Sequence, residues 1–228
     1  GGTYTRFLMR AKPVAGMYPL GSEPQGDVIP WQWVSYVSVE DALATLEKAV
    51  GVGATPLGRV IVVPGVVTVA EFIDPTGAAC GLWQPDAHIG AVYANEPGTL
   101  IWNELLTHDP EAAAAFYCAV FGWTHASREM PAGTYHLFKD GDELRGGMAA
   151  IVPEVGDASP SWRAYIAVED LDASMAEVVD LGGSADGGVV EIPGIGRSTE
   201  IRDPTGVSFM LMEPGILTAH KTRPADRP

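Results

Sequence analysis

Two oppositely charged side chains stand inside otherwise apolar stretches, where they could act on a small molecule. Glu104 lies in Ile101-Trp102-Asn103-Glu104-Leu105-Leu106-Thr107, and Arg163 lies in the run 162–168. A carboxylate in such a setting accepts a proton, and a guanidinium grips a carboxylate or phenolate through its planar fork. Both runs read as strands, whose side chains alternate between faces. Trp102, Glu104 and Leu106 therefore share a face, as do Arg163 and Tyr165, and likewise Ser208, Met210 and Met212. Nearer the start, the same parity joins Val34 to Tyr36, and Ala79 and Gly81 to Trp83. Apolar walls carrying a few polar groups are what a small-molecule pocket requires. Aromatic and thioether walls suit a flat, polarizable ligand. Glu104 and Arg163 are thus the catalytic candidates. Trp102, Leu106, Tyr165, Ser208, Met210, Met212, Tyr36 and Trp83 are the ligand-binding candidates.

Each of these has a purely structural alternative. Met210 and Met212 can be core filling, Trp83 and Trp102 can be packing between domains, and Glu104 can pair with Arg163. His108 precedes a helix cap, His88 lies in a linker, His125 follows Trp123, and His220 sits in a polar tail. No Ser-His-Asp order, phosphate loop or dinucleotide fingerprint is present.

The elements that position these residues come in two copies. Gly2-Thr3-Tyr4, Phe7 and Gly16-Met17 recur 131 residues later as Gly133-Thr134-Tyr135, Phe138 and Gly147-Met148. Trp33, Tyr36, Val39, Glu40 and Asp41 recur 129 residues later as Trp162, Tyr165, Val168, Glu169 and Asp170. The offset of 129 also carries Pro64-Gly65, Glu71 and Asp74-Pro75-Thr76-Gly77 onto Pro193-Gly194, Glu200 and Asp203-Pro204-Thr205-Gly206. Glu71 and Glu200, present in both copies, suggest a structural role at a sheet edge. His136 aligns with Thr5, so the repeat does not support it as part of a shared site.

Within a copy, strand 101–107 leads to Asp109-Pro110, an N-cap followed by a proline at the first helical position. A helix over 112–121 follows, with Gly122 as a left-handed stop. A second helix opens at Asp170, with Met175, Val178 and Leu181 inward and Gly182-Gly183 at its end. Its mate runs from Asp41 through Leu43, Leu46 and Val50 to Gly51. Short β-rich runs follow each helix, so the unit is one strand, one helix and about three strands. The expected domains are 1–84, a linker 85–99, a second domain 100–215 and a polar tail 216–228. By the repeat, the first copy lacks an opening strand and helix. Either the native chain extends about 30 residues upstream, or a partner chain, as in a homodimer, covers the gap.

Composition narrows the function classes. The 228 residues are 46% hydrophobic and 19% charged, enough for a sizeable core. A net charge of −15 argues against nucleic acid and against an anionic membrane surface. No apolar run approaches the ~18 residues that span a bilayer. Two cysteines, Cys80 and Cys118, exclude a disulfide framework and fit a reducing, cytoplasmic location.

The strand–helix–strands unit, the Asp-Pro-Thr-Gly before a final strand, and Phe116-Tyr117 followed by Phe121-Gly122-Trp123 resemble the vicinal oxygen chelate superfamily. That group includes glyoxalase I, extradiol dioxygenases and bleomycin-resistance proteins. Trp102-Asn103-Glu104-Leu105 and the junction Leu82-Trp83-Gln84-Pro85 … His88-x-Gly90-Ala91 are similar to tandem glyoxalase-like proteins. The resemblance implies an α+β fold of paired βαβββ modules, whose mixed sheets curl into cups with the helices outside. Metal-dependent members hold a divalent ion seven residues before the helix-capping Asp and seven after the Asp of Asp-Pro-x-Gly. Those positions are Trp102, Arg163, Val34, Gly81 and Met210 here, and none is a normal oxygen or nitrogen ligand. Glu104, His136, Glu200 and Glu213 remain as substitutes.

The expectation is a protein with no metal and no other cofactor that binds a hydrophobic or aromatic small molecule, of the sequestering, antibiotic-resistance kind. The alternatives are a metal-free cyclase or isomerase of secondary-metabolite biosynthesis and, further off, a metal-dependent lyase or dioxygenase.

Overall fold

The computed structural model describes residues 4–19, 32–130, 133–152, 158–185 and 187–215. Gly2-Thr3, His220 and the expected tail 216–228 lie outside the described residues. A hairpin of β1 (Thr5–Met9) and β2 (Lys12–Met17) opens the chain as a separate two-stranded sheet. Three units of strand, helix and three strands follow. The first is β3 (Tyr36–Ser38), α1 (Ala42–Gly51), β4 (Thr55–Val63), β5 (Val67–Ile73) and β6 (Ala79–Pro85). The second is β7 (Leu100–Thr107), α2 (Pro110–Phe121), β8 (Thr124–Met130), β9 (Gly133–Asp140) and β10 (Glu143–Ala150). The third is β11 (Ser161–Ala167), α3 (Leu171–Asp180), β12 (Val190–Ile192), β13 (Gly196–Arg202) and β14 (Ser208–Pro214).

Each unit has one topology. Its opening strand runs parallel to its closing strand, β3 with β6, β7 with β10 and β11 with β14, and the rest of the unit forms the connection. A parallel pair needs such a long crossover, and the helix supplies it. The first unit is a four-stranded sheet, β3-β6-β5-β4, in which β3 pairs on one side only among the described residues. The other two units join through antiparallel β7 and β11 into one eight-stranded sheet, β12-β13-β14-β11-β7-β10-β9-β8. The fold is α+β, with curled mixed sheets. No helix among the described residues is long and apolar enough to cross a membrane.

An aspartate starts each of these three helices. Asp41, Asp109 and Asp170 accept hydrogen bonds from the amides of Ala44, Ala112 and Ala173, each at 2.9 Å. These bonds satisfy amides that have no partner within the helix. Gly122 ends α2 in the left-handed region, φ 73°.

The inward faces of the other two helices differ from the sequence reading. In α1 the buried residues are Ala42, Leu46 and Ala49, spaced four and three apart, which leaves Leu43 and Val50 exposed. Gly51 is the last helical residue rather than the stop; the left-handed residue is Gly53, φ 108°. In α3, Met175 and Val178 pack inward, but Leu181 is the C-cap and is 71% exposed. The chain has already left the helical path there, so the 3.6-residue stripe no longer sets its direction.

One apolar core reaches across both larger sheets. It holds Ala42, Leu46, Phe72 and Leu82 of the first unit together with Leu105, Phe116, Tyr117, Phe138, Met148 and Trp162. Inside it runs a buried polar chain. The indole of Trp162 donates to the Tyr117 hydroxyl at 2.7 Å, and that hydroxyl donates to Asp74 Oδ2 at 2.8 Å. Asp74 Oδ1 also takes the amides of Thr76 and Ala78 and the Thr76 hydroxyl. Burial, reinforced by the nearby Cys80 and Asp74, pushes the Tyr117 phenol well above its ordinary range, so it stays a donor. Asp203 folds the same turn around Thr205 and Val207, but on the surface.

Candidate functional site

Alternation in β7 sends Leu105 into the core beside α2 and leaves Trp102, Glu104 and Leu106 on the opposite, cup face of the eight-stranded sheet. On that face Glu200, Met210, Tyr165 and Trp102 stand opposite one another in register across β13, β14, β11 and β7. Arg163 and Glu104 form the adjacent pair. Tyr165, Met210 and Met212 are buried as one cluster, with Trp102 and Ile192 packed against it.

Arg163 and Glu104 do not pair, although they oppose each other in the ladder. Glu104 Oε2 accepts from the Tyr165 hydroxyl at 2.8 Å. Arg163 reaches Glu200 Oε2 at 3.4 Å, and Arg202 holds the other oxygen of Glu200 at 3.1 Å. Glu200 lies on β13, inside the sheet between β12 and β14, and Glu71 lies on β5 between β4 and β6. Their shared position is therefore interior rather than at a sheet edge.

Two cup residues escaped the sequence reading, Tyr135 and Glu200's role as partner of Arg163. The Tyr135 hydroxyl accepts from the Trp102 indole at 2.9 Å. It lies directly on Gly147: a Cβ at Gly147 would come within 1.9 Å of the Tyr135 oxygen. Gly16 and Tyr4, the matching pair in the first copy, make the same approach. The signal was therefore present, since Tyr135 and Gly147 recur at one offset from Tyr4 and Gly16.

Burial first, and then the charge and hydrogen bond of Glu104, push the phenols of Tyr135 and Tyr165 far above their ordinary value. Their folded values exceed the unfolded one, near 10. The stability they contribute is full below pH ~10 and is lost as pH rises beyond it. In a spectrophotometric alkaline titration both phenols should ionise only as the chain unfolds. Ionisation of both at about pH 10 in a folded chain would contradict the geometry.

The remaining candidates scatter. Leu106 is buried one alternation beyond Glu104, opposite Ser161 and Ala149. Ser208 is exposed at the start of β14, opposite Arg202. Tyr36 and Trp83 belong to the four-stranded sheet, with ring centroids 5.9 Å apart. There the Tyr36 hydroxyl donates to Glu71, and so does that of Tyr18 at 3.1 Å. The Trp83 indole donates to the His88 carbonyl at 2.9 Å. A concavity of about 260 Å³ lined by Ser184, Gly187, Glu200 and Arg202 meets the aromatic row only at Glu200.

The cup residues do not fit a divalent ion. Trp102 and Arg163 offer N–H donors rather than lone pairs, and Met210 offers a buried thioether. Among the carboxylates, Glu104 is held by Tyr165, and Glu200 by Arg163 and Arg202.

Paired β-α-β-β-β units with parallel outer strands and a cup on the face away from the helices define a vicinal oxygen chelate protein. Residues 103–212 match the family model of the glyoxalase-like domain. CFP32 of Mycobacterium tuberculosis (strain CDC 1551 / Oshkosh), which bears a glyoxylase name, is 38% identical over 216 residues, covering 94% of this chain and 81% of that protein. The anthracycline biosynthesis protein DnrV of Streptomyces peucetius is 31% identical over 228 residues, covering 93% of this chain and 80% of that one. The Mn(II)-bound glyoxalase of Novosphingobium aromaticivorans shares the fold, with a TM-score of 0.54 at 12% identity over 78% of this chain and 61% of that one. The chain belongs to the glyoxalase-like family of the vicinal oxygen chelate superfamily.

Proposed function

We propose that the second cup binds a flat aromatic small molecule without a metal ion. The observation that carries this reading is the row Glu200–Met210–Tyr165–Trp102, flanked by the Glu104–Tyr165 and Arg163–Glu200 pairs. A planar ring system stacks on the partly buried Trp102, which Tyr165, Met210 and Met212 back as a polarizable wall. Among the described residues Arg163 is held by Glu200 at 3.4 Å, a loose pair that an anionic substituent on the ligand can replace. The name of DnrV, an anthracycline biosynthesis protein, supports a polycyclic aromatic ligand.

The test is tryptophan fluorescence titrated with hydroxylated anthraquinones. Quenching should saturate, and Trp102→Ala should weaken binding about tenfold, from lost stacking and the lost bond to Tyr135. Unchanged affinity in a folded Trp102→Ala variant would place the ligand elsewhere.

A second reading is favoured by one contact, the 2.8 Å bond from Tyr165 to Glu104. A carboxylate and a phenol within hydrogen-bond reach of one another can move a proton on a bound ligand, as a cyclisation or isomerisation requires. Biosynthesis, the other word in the name of DnrV, agrees with such a reaction.

A further inference from the structure

On the other side of the eight-stranded sheet, the geometry points to a divalent transition-metal site formed by Glu111, His125 and His136. The strand register places both histidines there. His125 stands opposite Phe138, which is buried in the core beside α2. His136 is two residues before Phe138 on β9 and so shares its face. Glu111 enters from the first turn of α2. One ligand atom from each of the three lies within 4.8 Å of the others, and the two imidazole centroids are 5.9 Å apart.

An independent observation singles out His136. It is 6% exposed, and its Nδ1 is buried without a hydrogen-bond partner among the described residues. A buried imidazole nitrogen left in that state is unfavourable and calls for a partner. Glu111 and His125 are exposed, so their side chains can rotate to close on a common ion. Two imidazoles and one carboxylate match the preference of Zn²⁺ and leave a fourth position for water.

The consequence is mechanical. β8 is the outermost strand of its sheet, and Thr124–Glu129 are all exposed. An ion held by β8, β9 and α2 would fasten that edge to the helix. The metal-free expectation drawn from the sequence rested on cup positions. Extended to the whole chain, it is what this site departs from.

The test is equilibrium dialysis of the EDTA-stripped chain against Zn²⁺ with elemental analysis, and Co²⁺ as a spectroscopic probe. One Zn²⁺ should bind per chain at micromolar free metal, and Co²⁺ should give the intense visible bands of a four-coordinate site. His125→Ala alters an exposed residue, so it should fold normally and weaken binding by about 100-fold or more, since even outer partners of a metal ligand cost 10–100-fold. Glu111→Gln should weaken it in the same direction. Glu104→Gln and Glu200→Gln should leave metal binding unchanged. No binding at micromolar Zn²⁺, unaltered binding in His125→Ala, or binding lost in Glu104→Gln would each overturn the site.

Discussion

Tyr117→Phe should lower the free energy of unfolding by about 3 kcal/mol. The lost hydroxyl is both the donor to Asp74 Oδ2 and the acceptor for the Trp162 indole. Its removal leaves two buried polar groups short of a partner at once. Asp74 is only 3% exposed, so water does not easily replace the bond to its carboxylate. Hydrogen bonds to charged groups are worth roughly 1.5–3 kcal/mol, and an unsatisfied buried N–H costs about 1–3 more. Phe fills the same space, so no cavity adds to the effect. Urea denaturation followed by fluorescence measures the loss. A change below about 1 kcal/mol, the worth of one ordinary hydrogen bond, would show that the chain contributes little.

Glu104→Gln should separate the two readings of the cup. If Glu104 moves a proton, turnover of the bound aromatic compound falls about 100-fold or more. Gln still accepts the Tyr165 hydrogen bond, so the ligand should bind within a few-fold of its original affinity. Arg163→Met should do the reverse, weakening an anionic ligand through lost charge-assisted hydrogen bonds. Product formation insensitive to both changes would leave binding as the role of the cup.

Much of this frame was legible beforehand because it rests on local chemistry. Asp-Pro before an apolar helix, Asp41 and Asp170 after apolar strands, and Gly122 each encode a helix end within a few residues. The shared face of Trp102 with Glu104, and of Arg163 with Tyr165, followed from the two-residue period of a strand. What parity cannot supply is which partner a charged group takes across the sheet. Arg163 opposes Glu104 on the neighbouring strand, yet its ion pair is with Glu200, two strands away in the other direction. A guanidinium on a long stem spans that interval, and the phenol of Tyr165 has already occupied Glu104. The miscast residues of α1 and α3 have a different origin. Leu43 and Val50 are as apolar as Leu46, but Ala42 and Ala49 permit the close approach that sets which stripe is buried.

The single interior shared by both larger sheets changes what a half of this chain is. Phe72 of one sheet meets Phe116 of the helix over the other, with ring centroids 5.7 Å apart. Tyr117 bonds to Asp74 in one half and to Trp162 in the other. Division between the sheets would therefore bare apolar wall on both pieces and strand a polar group on each. The halves resemble each other in sequence, but they are complementary rather than interchangeable. Residues of α1, α2 and Trp162 lie in one core, and Trp162 directly precedes Arg163 on β11. In cooperative terms, the stability of the half that carries the eight-stranded sheet is a property of its neighbour as well.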